Sequence, residues 1–493
     1  MGNLCTANEE GRPALPSSSA PETSSTPLDE KVRTAFNAQR EFFATGKTRD
    51  LAWRKEQIQL LMQAVMANKD KFSEAQAKDG VCPSDFTGAS GLVAGSAMYY
   101  LANIDRWAAN KELNDTISPE RTNGIDCDWV RVMEPKGVVL NIAPWNAPAL
   151  LSVLPCLGAL AAGNCCVIKP SETTPATAAL LREVIAEKMS PSVMTVVEGG
   201  PTVSEGLIDL GFDHIMFTGG PAIAKLVMAR AAKTLTPVTL ELGGKNPVLV
   251  DEMDDDMLKA AVTEIIGTKA AFSGQFCQCH DIVLVMDSMW DKFIAALEAG
   301  IAALKERRMA RLVNARQFER VKRMLENHKG KAVPAVPEYD ADKLCIPVTA
   351  IVEPAADDEV MLEEVFGPLW CVLRTKSIDD AIAFANRIPT GKPLVSYYYG
   401  ASQEHADSWQ GRTSSGCLAI NCGPMRLQSN FEAAIHGVGN SGMGGASLWG
   451  EHVFNTFSHA KFAVRTKFNE KTQPAFAGSI WSGPPGTYKP ASL

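Results

Sequence analysis

The run Ser273-Gly274-Gln275-Phe276-Cys277 places a thiol in a glycine turn behind a helical pattern. Such a turn exposes its side chains, and nearby backbone N–H groups can stabilise developing negative charge, so the pattern suits a nucleophile. A cysteine on its own is more often a small buried hydrophobe, and the turn needs companions before it means catalysis. Glu241-Leu242-Gly243-Gly244-Lys245-Asn246-Pro247 closes an apolar run. A carboxylate beside two glycines there can act as a general base or simply sit solvated at a strand end. Phe217-Thr218-Gly219-Gly220-Pro221 reads as a strand, a turn and a helix opening with proline. A helix start of this kind can face a pyrophosphate with its free N–H groups, although the spacing is not G-x-G-x-x-G. Lys169-Pro170-Ser171-Glu172 follows another apolar run, where its charged residues can hold ribose hydroxyls or merely face water.

The elements that must position these residues are short apolar runs alternating with alanine-rich helical stretches. Strands are predicted at residues 138–142, 165–169, 193–197, 214–218 and 238–242, with helices at 149–162, 175–188, 203–210 and 221–235 between them. A second series follows: helix 255–272, strand 282–286, helix 290–306, strands 347–352 and 370–374, and helix 378–388. Buried strands alternating with helices imply parallel sheets with right-handed crossovers. Residues 29–114 are helical in pattern, and 415–450 are glycine-punctuated and irregular. The expected class is α/β with two lobes and a site in the cleft between them, at the carboxyl ends of strands.

Composition narrows the function. The 493 residues carry 48 Lys+Arg against 56 Asp+Glu, a formal net charge of −8, and no basic cluster. That leaves no electrostatic pull on nucleic acid. Twelve cysteines are too few for a disulfide scaffold, and their spacing offers no zinc pattern, so no metal is expected. No secretory signal is expected either, since residues 1–27 lack an apolar segment. Nothing between Lys136 and Lys169 is charged, long enough to span a bilayer. Pro144, Pro148 and Pro155 with Asn141, Asn146 and Asn164 argue instead for buried strands and a helix.

Taken together and in order, Pro144-Trp145-Asn146, Lys169-Pro170-Ser171-Glu172, Phe217-Thr218-Gly219, Glu241-Leu242-Gly243-Gly244-Lys245, Gly274-Gln275-Phe276-Cys277 and Glu364-Val365-Phe366-Gly367-Pro368 resemble the signature set of the NAD(P)-dependent aldehyde dehydrogenase superfamily. The resemblance covers roughly residues 30–466. Gly439 to Gly444, Phe457-Ser458-His459 and Lys392-Pro393-Leu394 resemble its class 3, fatty-aldehyde branch. The resemblance implies an aldehyde dehydrogenase-like fold: a Rossmann-type cofactor lobe (29–116 and 137–241), an α/β catalytic lobe (242–457) and a small β oligomerisation arm (117–136 and 458–466). A disordered amino-terminal tail is expected at 1–28 and a carboxy-terminal tail at 467–493.

By the same resemblance, Cys277 attacks the aldehyde, Asn146 and a backbone N–H hold the oxyanion, and Glu241 activates the hydrolytic water. Lys169, Ser171 and Glu172 hold the adenosine ribose, and Gly219 and Gly220 face the pyrophosphate. Ala143, Pro144, Trp145, Leu242 and Gly243 line the cofactor path, and Glu364 with Phe366 positions the nicotinamide ribose. The implied reaction is oxidation of a lipophilic or aromatic aldehyde to its acid with NAD, and with NADP as a second cofactor. A carboxylate at Glu172 favours NAD because it would repel a 2′-phosphate. Coenzyme A acylation and an inactive binding or scaffold protein are the rivals, and Glu241 and Cys277 argue against them. The departures from the family pattern are Gly220, Ala224, Phe272 and Ile435-His436, the last pair in a loop that faces the substrate mouth in relatives.

The expected assembly is a homodimer, and the expected location is cytoplasmic. Met1-Gly2-Asn3-Leu4-Cys5-Thr6 also fits an N-myristoylation pattern at Gly2, with Cys5 placed for palmitoylation. One myristoyl chain binds a membrane only marginally, so a second acyl group would be needed for peripheral attachment to the cytosolic face.

Overall fold

The computed structural model describes residues 29–82, 84–113, 127–304, 307–433, 435–445 and 447–466. Gly2, Cys5 and both tails, together with 117–126 of the expected arm, lie outside the described residues.

Two sheets organise the chain. The first runs in the order Gly442–Met443, Val238–Glu241, His214–Thr218, Val138–Ile142, Cys165–Lys169, Met194–Val196, and is parallel except for Gly442–Met443. The chain goes outward from Val138–Ile142 to Cys165–Lys169 and Met194–Val196, then returns to the other side with His214–Thr218. That reversal creates a crevice above the carboxyl end of Val138–Ile142. Helix Pro148–Ala162 lies almost wholly buried against this sheet. Helices Leu51–Met66 and Thr87–Ala108 cover its other side, so it has no polar face. Its Val153, Leu154, Leu157 and Leu160 side chains are fully buried, each worth roughly 1.5–3 kcal/mol. Gly158 sits in that helix because a Cβ there would overlap Val453 of helix Gly450–Thr456.

The second sheet has the order Lys331–Pro334, Thr349–Val352, Leu369–Thr375, Ile282–Met286, Pro247–Val250, Val395–Tyr399, Cys417–Ile420, parallel except at Lys331–Pro334. Helix Asp255–Ala271, capped where Asp254 Oδ1 accepts from the Met257 N–H at 2.8 Å, packs on it and leads towards the cysteine turn. A third, small sheet pairs Cys127–Pro135 antiparallel with Ser458–Thr466, and Lys111–Glu112 adds at its other side.

The strand and helix positions follow the sequence expectation closely in the first lobe. Two differences stand out. Cys417–Ile420 is a strand inside the stretch expected to be irregular, short enough between Gly416 and Asn421 to carry no periodicity. Residues assigned from sequence to the catalytic lobe return to the first: Gly442–Met443 joins its sheet, and Ile435, Trp449, Val453, Phe454 and Phe457 are buried in its core. Among the described residues no helix is long and apolar enough to cross a membrane.

Candidate active site

The cofactor-type residues gather at the carboxyl ends of the first sheet. Ala143 follows Val138–Ile142 and its N–H donates to Lys169 O at 3.0 Å, tying two neighbouring strand ends together. Gly219 follows His214–Thr218 and donates to Glu241 O at 3.0 Å. Leu242 donates to Ser441 O at 2.9 Å, and Pro144 and Trp145 occupy the loop above the switch point. Gly220 caps helix Pro221–Ala231 without a side-chain bond; its carbonyl takes the Ile223 and Ala224 N–H groups, which leaves the Ala222 N–H available to an anion.

Beside Lys169–Glu172 lies a cavity of about 210 Å³, lined by Pro170, Ser171, Glu172, Pro175, Ala178, Glu198, Gly199 and Gly200. Lys169 is buried and donates to Glu172 Oε2 at 2.8 Å. Burial is the largest influence and alone would push the Glu172 carboxyl up, but the Lys169 hydrogen bond, its own backbone N–H and the charges of Lys169 and Arg316 together outweigh it and hold the group below the ordinary range. This end of the crevice therefore keeps its carboxylate ionised.

The cysteine turn belongs to the other sheet and to the opposite end of its strands. Cys277 precedes Ile282–Met286, Glu364 and Phe366 precede Leu369–Thr375, and Lys245 precedes Pro247–Val250. The expectation that all site residues sit at carboxyl ends is thus corrected for the second lobe. The reason is local: the nucleophile turn is built from left-handed backbone at Ser273 (φ 52°) and Gly274 (φ 65°), not from a strand end. A Cβ at Gly274 would overlap Gly367 O, so only glycine lets the turn lie on that loop.

Within the turn, Asn246 Nδ2 donates to Cys277 O at 2.8 Å and to Cys279 O at 2.9 Å, while its Oδ1 accepts from the Val395 N–H at 3.0 Å. Gln275 spans to Arg311 O and the Val313 N–H, both at 3.0 Å. From the first lobe, Asn146 Nδ2 donates to Gln275 O at 3.2 Å, which brings the two lobes together beside Cys277. Trp145 meets Phe366 edge to face at 5.3 Å across the same junction. Phe366 has φ 44°, a strained backbone for an aromatic residue of the kind that clusters at functional sites.

The electrostatics of this junction differ from the Lys169 end. Burial pushes the half-buried Cys277 thiol up, and Glu364 and Glu241 add to the effect. Burial likewise raises Glu241 well above a normal carboxyl, opposed by the Gly437 backbone N–H, and its Oε1 has no partner among the described residues. Glu364 is pushed up to about 7, by burial first and then by Asp281. A Cβ at Gly243 would overlap the Glu364 carboxylate, so the two loops meet face to face. A neutral thiol, a buried carboxyl with one oxygen unbonded and an amide donor converge where two lobes close.

A family model described as "Aldehyde dehydrogenase family" matches residues 18–463. The human protein "Aldehyde dehydrogenase family 3 member B1" is 35% identical over 429 residues, covering 85% of this chain and 88% of that one. The rat protein "Aldehyde dehydrogenase, dimeric NADP-preferring" is 35% identical over 447 residues, covering 88% and 95%. The chain belongs to the aldehyde dehydrogenase family. Among solved structures, a Staphylococcus aureus AldH in its substrate-bound state superposes with a TM-score of 0.81 at 32% identity, covering 89% of this chain and 94% of that one.

Against the family pattern, the departures have distinct structural outcomes. Phe272 stacks on Phe276 at 4.9 Å beside the nucleophile turn, which makes that wall aromatic. Ala224 is buried in the first-lobe core, and Ile435 is buried there too rather than lining an opening. Sequence reasoning gave no role to Asn246, Gln275, Glu198 or Asp281. The first two stand inside motifs and were hidden by more reactive neighbours. Glu198 meets the cavity only through the fold, and Asp281 is a lone charge at the edge of an apolar run.

Proposed function

We propose that this aldehyde dehydrogenase family member oxidises a lipophilic or aromatic aldehyde to the carboxylic acid through a thioester on Cys277, with Glu241 as general base and Asn146 as oxyanion donor. The observation that carries the reading is the meeting of Cys277, Glu241 and the Asn146–Gln275 contact at the closure of the two lobes.

A dinucleotide suits the features gathered here: the glycine-capped helix start for phosphate, the cavity beside Glu172 for adenosine, and the Gly243–Glu364 contact between the lobes for the nicotinamide ribose. Bound NAD+, or NADP+ as in the rat relative's name, supplies a hydride acceptor. Cys277 adds to the carbonyl carbon once its proton has moved to Glu241 or water, and the oxyanion receives the Asn146 N–H not engaged by Gln275 and a backbone N–H. One oxyanion donor is typically worth ~2.7–4 kcal/mol. Hydride departure leaves the thioester, and Glu241 takes a proton from water as it attacks the acyl carbon, which releases acid and thiol. The stacked rings of Phe272 and Phe276 form one aromatic wall beside the nucleophile turn and favour an apolar substrate.

The same reading divides the chain into a cofactor lobe, a catalytic lobe and the arm of Cys127–Pro135 and Ser458–Thr466. Phe462 and Val464 are exposed on that arm, and a homodimer covers them. Acylation of Gly2 and Cys5 would hold the enzyme peripherally on the cytosolic face, close to lipophilic aldehydes.

A panel of aliphatic and aromatic aldehydes followed by NADH absorbance, with product analysis with and without coenzyme A, tests the reaction. Acid formed independently of coenzyme A is the expected result. Acyl-coenzyme A as the main product overturns it.

A further inference from the structure

Three buried charges sit behind the nucleophile turn. Lys245, Lys269 and Asp281 are each almost fully inaccessible. Lys245 Nζ lies 3.1 Å from Asp281 Oδ2, and Lys269 Nζ lies 3.4 Å from Asp281 Oδ1. Burying three charges is costly unless each has further partners. Here the remaining donors and acceptors all go to one loop.

Lys245 Nζ donates to Val360 O at 2.7 Å and to Glu363 O at 2.9 Å. Lys269 Nζ donates to Gly367 O at 3.4 Å, and Asp281 Oδ2 accepts the Val365 N–H at 3.3 Å. From outside, Arg320 grips the carbonyls of Glu364 and Val365 at 3.2 and 2.5 Å. Between these anchors stand Glu364 and Phe366. The opposite side of the cluster belongs to the nucleophile: Asp281 is four residues after Cys277, and its N–H donates to Asn246 O at 3.1 Å, the residue that grips Cys277 O. Burial alone would raise the Asp281 carboxyl, but the two ammonium groups outweigh it and keep it ionised.

We propose that Asp281 is a positioning residue for hydride transfer. With Lys245 and Lys269 it locks the loop bearing Glu364 and Phe366 to the turn bearing Cys277, which sets the distance between the nicotinamide end of the cofactor and the thiohemiacetal. The inference rests on the roles proposed above for Cys277 and Glu364. The cluster touches neither substrate nor the adenosine end of the crevice. Loosening it therefore alters the nicotinamide end alone.

The test compares Asp281→Asn and Lys269→Met with the wild-type full-length protein. Asp281→Asn leaves two lysines buried without a counter-charge and can fail to fold. Lys269→Met keeps the Lys245–Asp281 pair and loses the Lys269–Asp281 ion pair together with the Gly367 anchor. Three readouts are taken: affinity for 5′-AMP by calorimetry, the rate of Cys277 alkylation by iodoacetamide without cofactor, and kcat and KM for NAD. A misplacement near 1 Å can cost on the order of 10²-fold, so kcat should fall and KM for NAD rise by at least about tenfold. AMP affinity and alkylation should stay within about twofold. Wild-type kcat and KM in Lys269→Met overturn the proposal, and so does loss of AMP binding in step with NAD. Failure of the nucleophile assignment shows separately, as turnover that survives Cys277→Ala.

Discussion

The two sheets offer opposite ends to the same cleft. The first presents its carboxyl ends, where each strand runs into a loop and then a helix start, as after Val138–Ile142 and His214–Thr218. The second presents the segments that feed its amino ends, so the cysteine turn follows the carbonyl end of helix Asp255–Ala271. Helix starts carry partial positive charge and helix ends partial negative charge. The first arrangement receives an anion and keeps Glu172 ionised beside Lys169. The second is buried and holds Cys277, Glu241 and Glu364 towards their neutral forms. On the proposed roles, binding falls to charges that are permanently on, and chemistry to groups that must exchange a proton before they react.

The sharpest break in that contrast is removal of the nucleophile. Cys277→Ala should abolish NAD(P)H production, a loss of at least about 10⁴-fold by analogy with other nucleophile deletions, while calorimetric NAD affinity changes by less than about twofold. Normal turnover in this variant would end the assignment. Glu241→Gln comes next. Loss of a general base costs roughly 10²–10⁴-fold, and here it should fall on thioester hydrolysis, so intact-mass spectrometry after one turnover should show an acyl adduct. The wild-type pH profile sharpens the same point. Glu241 acts as a base only when ionised, and burial raises its ionisation point above the ordinary 4.5, so activity should be lost as pH falls through a value well above that. An acid limb near 4.5 would mean that the carboxyl is solvated in the working enzyme. Asn146→Ala should cost about 10²–10³-fold in kcat, read by steady-state kinetics, with substrate KM little changed.

How much of this was legible in the sequence follows the same division between lobes. The strands of the first sheet are fully buried runs such as Val138–Ile142 and Cys165–Lys169, so each reads as an apolar block between turn residues, and the residues at their ends could be picked out at once. The second sheet starts strands at prolines and glycines: Pro247–Val250 opens on Pro247, and Cys417–Ile420 follows Gly416. Those residues read as breakers, which hid the strands and with them the reversal of sheet ends. The resemblance to a known family, rather than the residues read alone, pointed to Cys277, Glu241 and Asn146 without any geometry. The supports did not show, because Asn246 and Asp281 act through backbone carbonyls and buried lysines brought in from residues 245, 269 and 360–367.

The smallest expected effect lies at the ionised end and concerns the choice of cofactor. Two carboxylates, Glu172 and Glu198, border the cavity where the adenosine ribose is proposed to sit. Glu198 is itself engaged by Arg182, whose Nε lies 2.5 Å from its Oε1. A 2′-phosphate entering there meets Glu172 first, with the Arg182 charge already answered. A like charge at about 4 Å in water costs roughly 1 kcal/mol, which corresponds to about fivefold in affinity. Glu172→Gln should therefore raise the NADP/NAD ratio of kcat/KM by about five- to tenfold. Most of the change should appear in KM for NADP, because the reacting carbon is remote from this end. Glu198→Gln acts differently: it removes a weaker repulsion but frees Arg182, so its gain should depend on Arg182 and vanish in the Glu198→Gln, Arg182→Ala double variant. If Glu172→Gln instead lowers kcat with both cofactors and leaves their ratio unchanged, the two ends of the crevice are coupled, and the separation between a charged binding end and a neutral chemical end does not hold.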